Sequence, residues 1–235
     1  MKQKTNSLSL TAAHIAAVHR VIEDTGLPSG VVQQTDADYA DWVQRIAQSR
    51  PLASSSIQLF AYGSLIWKPE IDHVSEQLAT ARGWHRSFCL RMHRFRGTVE
   101  QPGLMMALDR GGQCQGVLYE LPRANIEVQL DQLFRREFTL KPINSAPRWI
   151  RVATSSGTID ALSFVMNRAS PYYAGRLALD QVATILAKAC GHWGSGAEYL
   201  FNTVTHLEKK GIRDGSLWRL QQLVAREIET LQLMR

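Results

Sequence analysis

Residues 56–167 constrain the fold most, because they alternate short strand-like segments with turns and contain a single helical pattern. The segments are rich in β-branched and aromatic residues and are separated by Gly, Pro and Asp, as a sheet or barrel requires. The candidate strands cover residues 57–62, 84–92, 104–108, 115–121, 148–153 and 158–166. One amphipathic helix, from about residue 124 to 138, interrupts them, and residues 101–103 and 111–112 are predicted to be turns.

Helical patterns flank this β-rich stretch on both sides. Two precede it, one carrying Ile15, Val18 and Ile22 and one centred on residues 39–46, and three follow Pro171. The order of helices, mostly strands, then helices predicts an α+β fold rather than a doubly wound parallel sheet. We expect a helical N-terminal extension over residues 1–55 and a catalytic domain over residues 56–235.

The charge of the chain favours an anionic ligand without indicating nucleic acid. Lys and Arg number 27 against 21 Asp and Glu, which gives a net charge of +6. These basic residues are scattered along the chain instead of forming a tail or a single basic helix, so we predict no nucleic-acid partner.

The cysteines and the apolar runs bear on compartment and cofactors. Cys89, Cys114 and Cys190 are far apart, which argues against a disulfide framework or a zinc knuckle and favours a reducing compartment. The N-terminus is a poor signal peptide and no apolar run approaches the roughly 20 residues that cross a bilayer. We therefore expect a cytoplasmic protein without a membrane partner. The histidines form no metal-ligand pair, so no metal and no cofactor are predicted.

The most informative motif is Tyr62-Gly63-Ser64-Leu65, which follows an apolar strand and is called the 62–65 loop below. Gly63 has no Cβ, so the chain there can take positive φ and a ligand can approach the backbone closely. Successive amides after a strand can point into one small concavity, which predicts a site for a carboxylate or a developing oxyanion. Ser64 lacks the G-x-S-x-G context of a nucleophile, so it is predicted to donate a hydrogen bond to substrate.

Glu137 is the candidate acid–base residue, at the end of the predicted central helix. It shares a helical face with Leu130, Phe134 and Phe138, so its carboxyl group can point into an apolar interior. A desolvated carboxyl has a raised pKa and is a competent base near neutral pH. The alternative is a helix-terminal glutamate that pairs with arginine or with water.

Four motifs together resemble the ChaC family, whose members are glutathione-specific γ-glutamylcyclotransferases. They occur in this order: residues 60–69 with the 62–65 loop, residues 83–91, the Arg96-Gly97-Thr98 and Gln101-Pro102-Gly103 pair, and Arg135-Arg136-Glu137. The resemblance extends from about residue 57 into the C-terminal helices. The chain length and the helical segment before residue 57 are similar to those of the bacterial branch.

The resemblance implies a γ-glutamylcyclotransferase-like fold, a small mixed β-barrel flanked by helices. It implies that Tyr62, Gly63, Ser64 and Leu65 hold a γ-glutamyl group and that Glu137 is the catalytic glutamate. A family tyrosine that follows a proline matches Tyr173, with Tyr172 as the competing register. The implied reaction cyclises the γ-glutamyl group of glutathione to 5-oxoproline and releases Cys-Gly.

Two alternatives stay open at the level of sequence. The enzyme can act on other γ-glutamyl amines or peptides in place of glutathione. The chain can also be a non-catalytic glutathione-binding regulator, which would bind glutathione without releasing Cys-Gly.

Overall fold

The computed structural model describes residues 8–51 and 56–234, and this part of the chain contains seven helices and nine strands. The helices are α1 (Ala12–Val18), α2 (Asp36–Gln48), α3 (Ser64–Trp67), α4 (Ile126–Glu137), α5 (Leu179–Lys188), α6 (Gly196–Lys209) and α7 (Gly215–Leu233). The strands are β1 (Val32–Gln33), β2 (Gln58–Ala61), β3 (Ser75–Met92), β4 (Gly103–Glu120), β5 (Leu140–Lys141), β6 (Ser145–Thr154), β7 (Gly157–Met166), β8 (Cys190–Gly191) and β9 (Gly194–Ser195).

Five of these strands close into a barrel in the order β2-β4-β3-β6-β7. Strand β7 runs antiparallel to β6 but parallel to both β2 and β4, with Leu162 opposite Leu59 and Val165 opposite Leu108. Closure removes the exposed edges that an open sheet would leave. The predicted α+β class and the mixed barrel flanked by helices are confirmed.

Strands β3 and β4 are 18 residues long, longer than the segments expected from the sequence. In β3, Gly83 has φ +80, and the buried positions change from Ala79 and Ala81 before it to Phe88 and Leu90 after it. A residue in the left-handed region shifts the alternation of a strand by one position, as a bulge does.

The predicted turn at Gly111-Gly112 is wrong, because both residues lie inside β4. They have φ +109 and φ +65, and residues 104–108 and 115–120 belong to the same strand on either side of them. Glycines in a long barrel strand allow a sharp bend without ending the hydrogen-bonded pairing of that strand with its neighbours.

The core of the barrel contains several of the largest fully buried side chains, among them Tyr119, Phe60 and Phe164. Helix α4 adds Phe134, whose ring packs edge-on against Phe164 with centroids 6.1 Å apart. Edge-to-face aromatic pairs stabilise a fold by more than the burial of their apolar area alone contributes. These contacts fix the end of α4, and with it Glu137, against β7.

The chain forms two compact units. One contains residues 27–90 and 106–175, with most of the barrel and helices α2, α3 and α4. The other contains the described residues of 8–26, 91–105 and 176–234, where α1 packs on α7 and His14 Nε2 lies 3.2 Å from Glu229 Oε1. The boundary expected at residue 55 stays a prediction.

Candidate active site

The 62–65 loop joins β2 to the single turn of α3, and all of it belongs to the barrel unit. Tyr62, Gly63 and Leu65 are buried and Ser64 is half-buried. The turn is closed by two backbone bonds, from Ile66 N–H to the Gly63 carbonyl at 2.9 Å and from Lys68 N–H to the Ser64 carbonyl at 2.8 Å. The loop therefore has a defined conformation that its own backbone maintains.

Gly63 does not adopt the left-handed conformation that its lack of a side chain permits, since its φ is −134. What distinguishes the loop is its amides. Among the residues that the structure describes, no group accepts a hydrogen bond from the backbone N–H of Gly63, Ser64 or Leu65. Buried backbone donors almost always have a partner, so the unpaired amides of the buried Gly63 and Leu65 favour an anionic ligand at this loop.

Glu137 is the last residue of α4, and its side chain is only 18% exposed. Burial raises the pKa of its carboxyl group from 4.5 to about 7, against the opposing effect of the Arg136 charge. Arg136 Nε lies 3.2 Å from Glu137 Oε1. The carboxyl is therefore close to half-ionised at neutral pH, as an acid–base catalyst requires.

Arg136 connects the end of α4 to the segment that follows α3. Its Nη1 donates a hydrogen bond to the carbonyl of Pro69 and lies 3.7 Å from Glu70 Oε2. Because the same guanidinium contacts Glu137, the carboxyl group is held close in space to the residues just beyond the 62–65 loop.

A second connection between Glu137 and the loop passes through the carboxyl end of β7. Since Leu162 pairs with Leu59 in parallel, Phe164 lies level with Ala61, the last residue of β2. The ring of Phe138, directly after Glu137, has its centroid 6.1 Å from that of Phe164. The end of α4 and the start of the loop therefore both lie toward the carboxyl end of β7.

Tyr173 reaches the same end of the barrel through Asp109. Asp109 follows Leu108, the partner of Val165 in β7, and the Tyr173 hydroxyl donates to Asp109 Oδ2 at 3.0 Å. Arg168 Nε donates to Asp109 Oδ1 at 2.7 Å. Burial would raise the pKa of Asp109, but bonds from Arg168, the Arg110 amide and Tyr173 outweigh it and leave this pKa below its ordinary value.

The neighbouring Tyr172 is tied differently, through its backbone N–H, which donates to Ser170 Oγ at 3.1 Å. Burial and the adjacent Asp109 carboxylate raise the pKa of the Tyr173 phenol, so its proton stays on the oxygen at neutral pH. Tyr173 is thus the tyrosine whose hydroxyl is oriented by a buried carboxylate.

Two charged residues near the site were not among the sequence candidates. Asp109 is 5% exposed and Arg86 is 6% exposed, and both contact site residues, Asp109 through Tyr173 and Arg86 through the carbonyl of Tyr62. Their signal in the sequence was a charge at a position where alternation predicts a core residue.

Other features of the described chain lie apart from this site. An open groove of about 550 Å³, lined by residues such as Thr80, Gln113 and Thr154, lies at the hairpin end of β6 and β7, away from the carboxyl end of β7. Within residues 8–51 and 56–234, no helix is long and apolar enough to cross a membrane, and no group of three or more His, Cys, Asp or Glu could hold a metal ion. All three cysteines are buried free thiols.

Comparison with known proteins gives consistent matches to one kind of enzyme. A family model described as ChaC-like protein matches residues 57–227. The glutathione-specific γ-glutamylcyclotransferase of Escherichia coli K12 is 37% identical over 162 residues, covering 68% of this chain and 69% of the relative. The glutathione-specific γ-glutamylcyclotransferase 1 of Danio rerio is 28% identical, covering 62% and 76% of the two chains.

The fold also has a solved counterpart. The crystal structure of a yeast γ-glutamyl cyclotransferase specific to glutathione matches with a TM-score of 0.65 at 19% identity. The match covers 74% of this chain and 97% of the yeast chain. At this identity the likeness shows a shared fold.

Proposed function

This chain belongs to the ChaC-like family, and on that basis we propose that it cleaves glutathione by cyclising the γ-glutamyl group to 5-oxoproline and releasing Cys-Gly. Relatives from a bacterium and a fish carry the name glutathione-specific γ-glutamylcyclotransferase, which supports glutathione as the substrate. The observation that carries the proposal is the Arg136 link, which connects the largely buried carboxyl group of Glu137 to Pro69, just beyond a loop with unpaired amides.

The first task of such an enzyme is to hold one folded conformer of its substrate. The α-amine of the γ-glutamyl residue attacks the carbonyl carbon of its own side-chain amide, so nucleophile and electrophile belong to one molecule. Well-oriented intramolecular reactions gain about 7 to 11 kcal/mol over bimolecular ones. The backbone of the 62–65 loop, which buries Gly63 and Leu65, supplies a rigid surface for this purpose.

Proton transfer is the second task, and Glu137 is the residue proposed for it. The α-amine is largely an ammonium ion at neutral pH, so a base must remove one proton before the new C–N bond forms. As the C–N bond forms, the same nitrogen gives up a second proton and becomes the ring N–H. When the bond to the cysteine nitrogen breaks, that nitrogen takes up both protons and leaves as the ammonium of Cys-Gly. A carboxyl group with a pKa of about 7 can accept each of these protons and pass it to the leaving nitrogen, and no water or cofactor is consumed.

The third task is to stabilise the oxygen of the tetrahedral intermediate. The amides of Gly63, Ser64 and Leu65 are the proposed donors, because they have no other acceptor within the described part of the chain. Losing one such donor typically costs about 100- to 1,000-fold in kcat.

The deciding experiment replaces Glu137 with glutamine. We expect Glu137→Gln to lower the rate of 5-oxoproline formation from glutathione by at least about 100-fold, since Gln cannot transfer a proton. Glu127→Gln is the matched control, because Glu127 lies in the first turn of the same helix and is exposed. The assignment fails if a folded Glu137→Gln enzyme keeps most of its turnover.

Substrate selectivity is tested separately, with purified wild-type protein. Rates on glutathione, γ-glutamylalanine and oxidised glutathione distinguish a glutathione-specific enzyme from one that accepts other γ-glutamyl compounds. Saturable binding of glutathione without 5-oxoproline would instead identify a non-catalytic regulator. A cytoplasmic location belongs to the proposal, because free thiols such as these three are typical of a reducing compartment.

A further inference from the structure

Arg86 in β3 lies beneath the 62–65 loop, within the same compact unit. It is 6% exposed and follows the inward alternation of Phe88 and Leu90. Its Nε donates to the carbonyl of Tyr62 at 2.7 Å, and its Nη2 donates to the carbonyl of Gln115 in β4 at 2.5 Å. Burying an arginine costs free energy unless its N–H groups form hydrogen bonds, so a buried arginine at this position indicates a specific role.

Because the peptide bond is planar, this contact also determines the direction of the Gly63 N–H. Lys141-Pro142 is the only cis peptide among the described residues, so the Tyr62–Gly63 peptide is trans and planar. In such a peptide the C=O and the N–H point in opposite directions. With the Tyr62 oxygen directed at Arg86, the Gly63 N–H is directed away from Arg86.

The Gly63 N–H is one of the amides proposed to bind the oxyanion. Gly63 is buried, and within residues 8–51 and 56–234 nothing accepts a hydrogen bond from its amide. Fixing the orientation of this one peptide plane therefore fixes a donor that a bound carbonyl oxygen can use. A donor that needs no reorientation during the reaction is worth more than one that must turn.

We propose that Arg86 is the positioning residue of the active site, which locks the Tyr62–Gly63 peptide so that the Gly63 amide faces the substrate. This inference rests on the proposed function of the 62–65 loop. A guanidinium suits the role because it is planar and holds two donors at a fixed angle, so it can clamp the end of β2 to β4. A lysine ammonium offers no such pair of coplanar donors.

The test compares Arg86→Met and Arg86→Lys with a matched control, Ser163→Ala. Ser163 is also buried and its Oγ donates to the carbonyl of Phe60 at 3.0 Å, two residues before Tyr62. The control thus removes a side-chain donor from a β2 carbonyl whose peptide does not belong to the loop.

We expect Arg86→Met to lower kcat by about 10- to 100-fold with a smaller change in KM, because the donor is used most strongly in the transition state. Arg86→Lys should have a kcat between those of Arg86→Met and wild type. If Arg86→Met does not fold, the comparison of Arg86→Lys with wild type tests the proposal. Ser163→Ala should lose thermal stability but keep kcat within about threefold of wild type. A folded Arg86→Lys or Arg86→Met enzyme with wild-type kcat, or an equal loss in Ser163→Ala, overturns the proposal.

A readout independent of turnover separates this inference from the proposed function. In amide NMR spectra, the Gly63 resonance should shift strongly in both Arg86 variants and remain near its wild-type position in Ser163→Ala. If wild-type protein forms no 5-oxoproline, the proposed function fails, and the Gly63 resonance still decides whether Arg86 orients this peptide. An unchanged Gly63 resonance in the Arg86 variants would refute the positioning role.

Discussion

The acid–base residue Glu137 is governed by two opposing effects. Burial disfavours the charged carboxylate, while the Arg136 guanidinium, whose Nε lies 3.2 Å from Glu137 Oε1, favours it. Burial is the larger effect, since the pKa rises from 4.5 to about 7. The site thus keeps a carboxyl group protonated part of the time at a pH where an exposed glutamate would be fully ionised.

This shift predicts a pH-dependent penalty on stability. The folded-state pKa of Glu137 is above its unfolded value of 4.5, so between pH 4.5 and about 7 the folded protein binds more protons and its stability falls as pH rises. The shift corresponds to up to about 3 kcal/mol. The Gln side chain never ionises. The free energy of unfolding of Glu137→Gln should therefore increase relative to that of wild type as the pH is raised from 5 to 8.

Urea denaturation of both proteins at pH 5 and pH 8 measures this gain. The linear extrapolation gives the free energy of unfolding for each protein at each pH. Exposed Glu127→Gln serves again as control and should show no such pH-dependent difference. Parallel pH curves for wild type and Glu137→Gln would contradict a desolvated carboxyl group at this position.

Tyr173 and Tyr172 provide a second test at single positions. Tyr173→Phe removes the hydroxyl that donates to Asp109 at 3.0 Å, so the ring loses the bond that orients it. We expect kcat/KM to fall about 10-fold, equivalent to about 1.4 kcal/mol of transition-state stabilisation. Tyr172→Phe should change kcat/KM much less. The reverse order would assign the family tyrosine to Tyr172.

At the scale of elements, the position of the 62–65 loop depends on how closely β2 approaches β4. These strands are antiparallel, with Ala61 opposite Val117. A Cβ built on Gly116 would lie 2.4 Å from the Ala61 carbonyl oxygen and 2.7 Å from the Phe60 ring. Only glycine permits this approach, so Gly116 sets the spacing from which the loop departs.

Gly116→Ala should therefore push β2 away from β4 and disturb the loop. Overpacking of this kind typically costs about 1 to 3 kcal/mol of stability. We expect lower thermal stability together with reduced turnover. Gly215→Ala is the control, because no atom lies within 4 Å of its added Cβ. If Gly116→Ala keeps both wild-type stability and activity, the close approach of the strands has no importance for the site.

The elements differ in how well the sequence predicts them. Helix α4 was expected from about residue 124 to 138 and extends over Ile126–Glu137, because its periodicity is a local property. Gly111-Gly112 was interpreted as a turn but lies within β4. A glycine pair permits either a turn or a bend in a paired strand, and the partner strands that decide between them are distant in sequence.

At the scale of the whole molecule, the same distinction applies to the site. The 62–65 loop and Glu137 are contained in contiguous motifs, so they are visible without a structure. Arg86 and Asp109 act through partners 24 and 64 residues away, at the Tyr62 carbonyl and the Tyr173 hydroxyl. Their roles depend on pairings between strands distant in sequence, β2 with β4 for Arg86 and β4 with β7 for Asp109, which no local pattern encodes.

The net charge of +6 gives the last prediction, because glutathione carries two carboxylates and one ammonium at neutral pH. A positive protein attracts such an anion, and salt screens this attraction as the Debye length falls from about 10 Å at 0.1 M to about 3 Å at 1 M. Over this range we expect kcat/KM to fall about two- to fivefold, because the charges are dispersed. The kcat at saturating glutathione should stay constant, and an uncharged osmolyte at equal osmolarity controls for water activity. A kcat/KM that is independent of salt would mean that the net charge has no part in capturing the substrate.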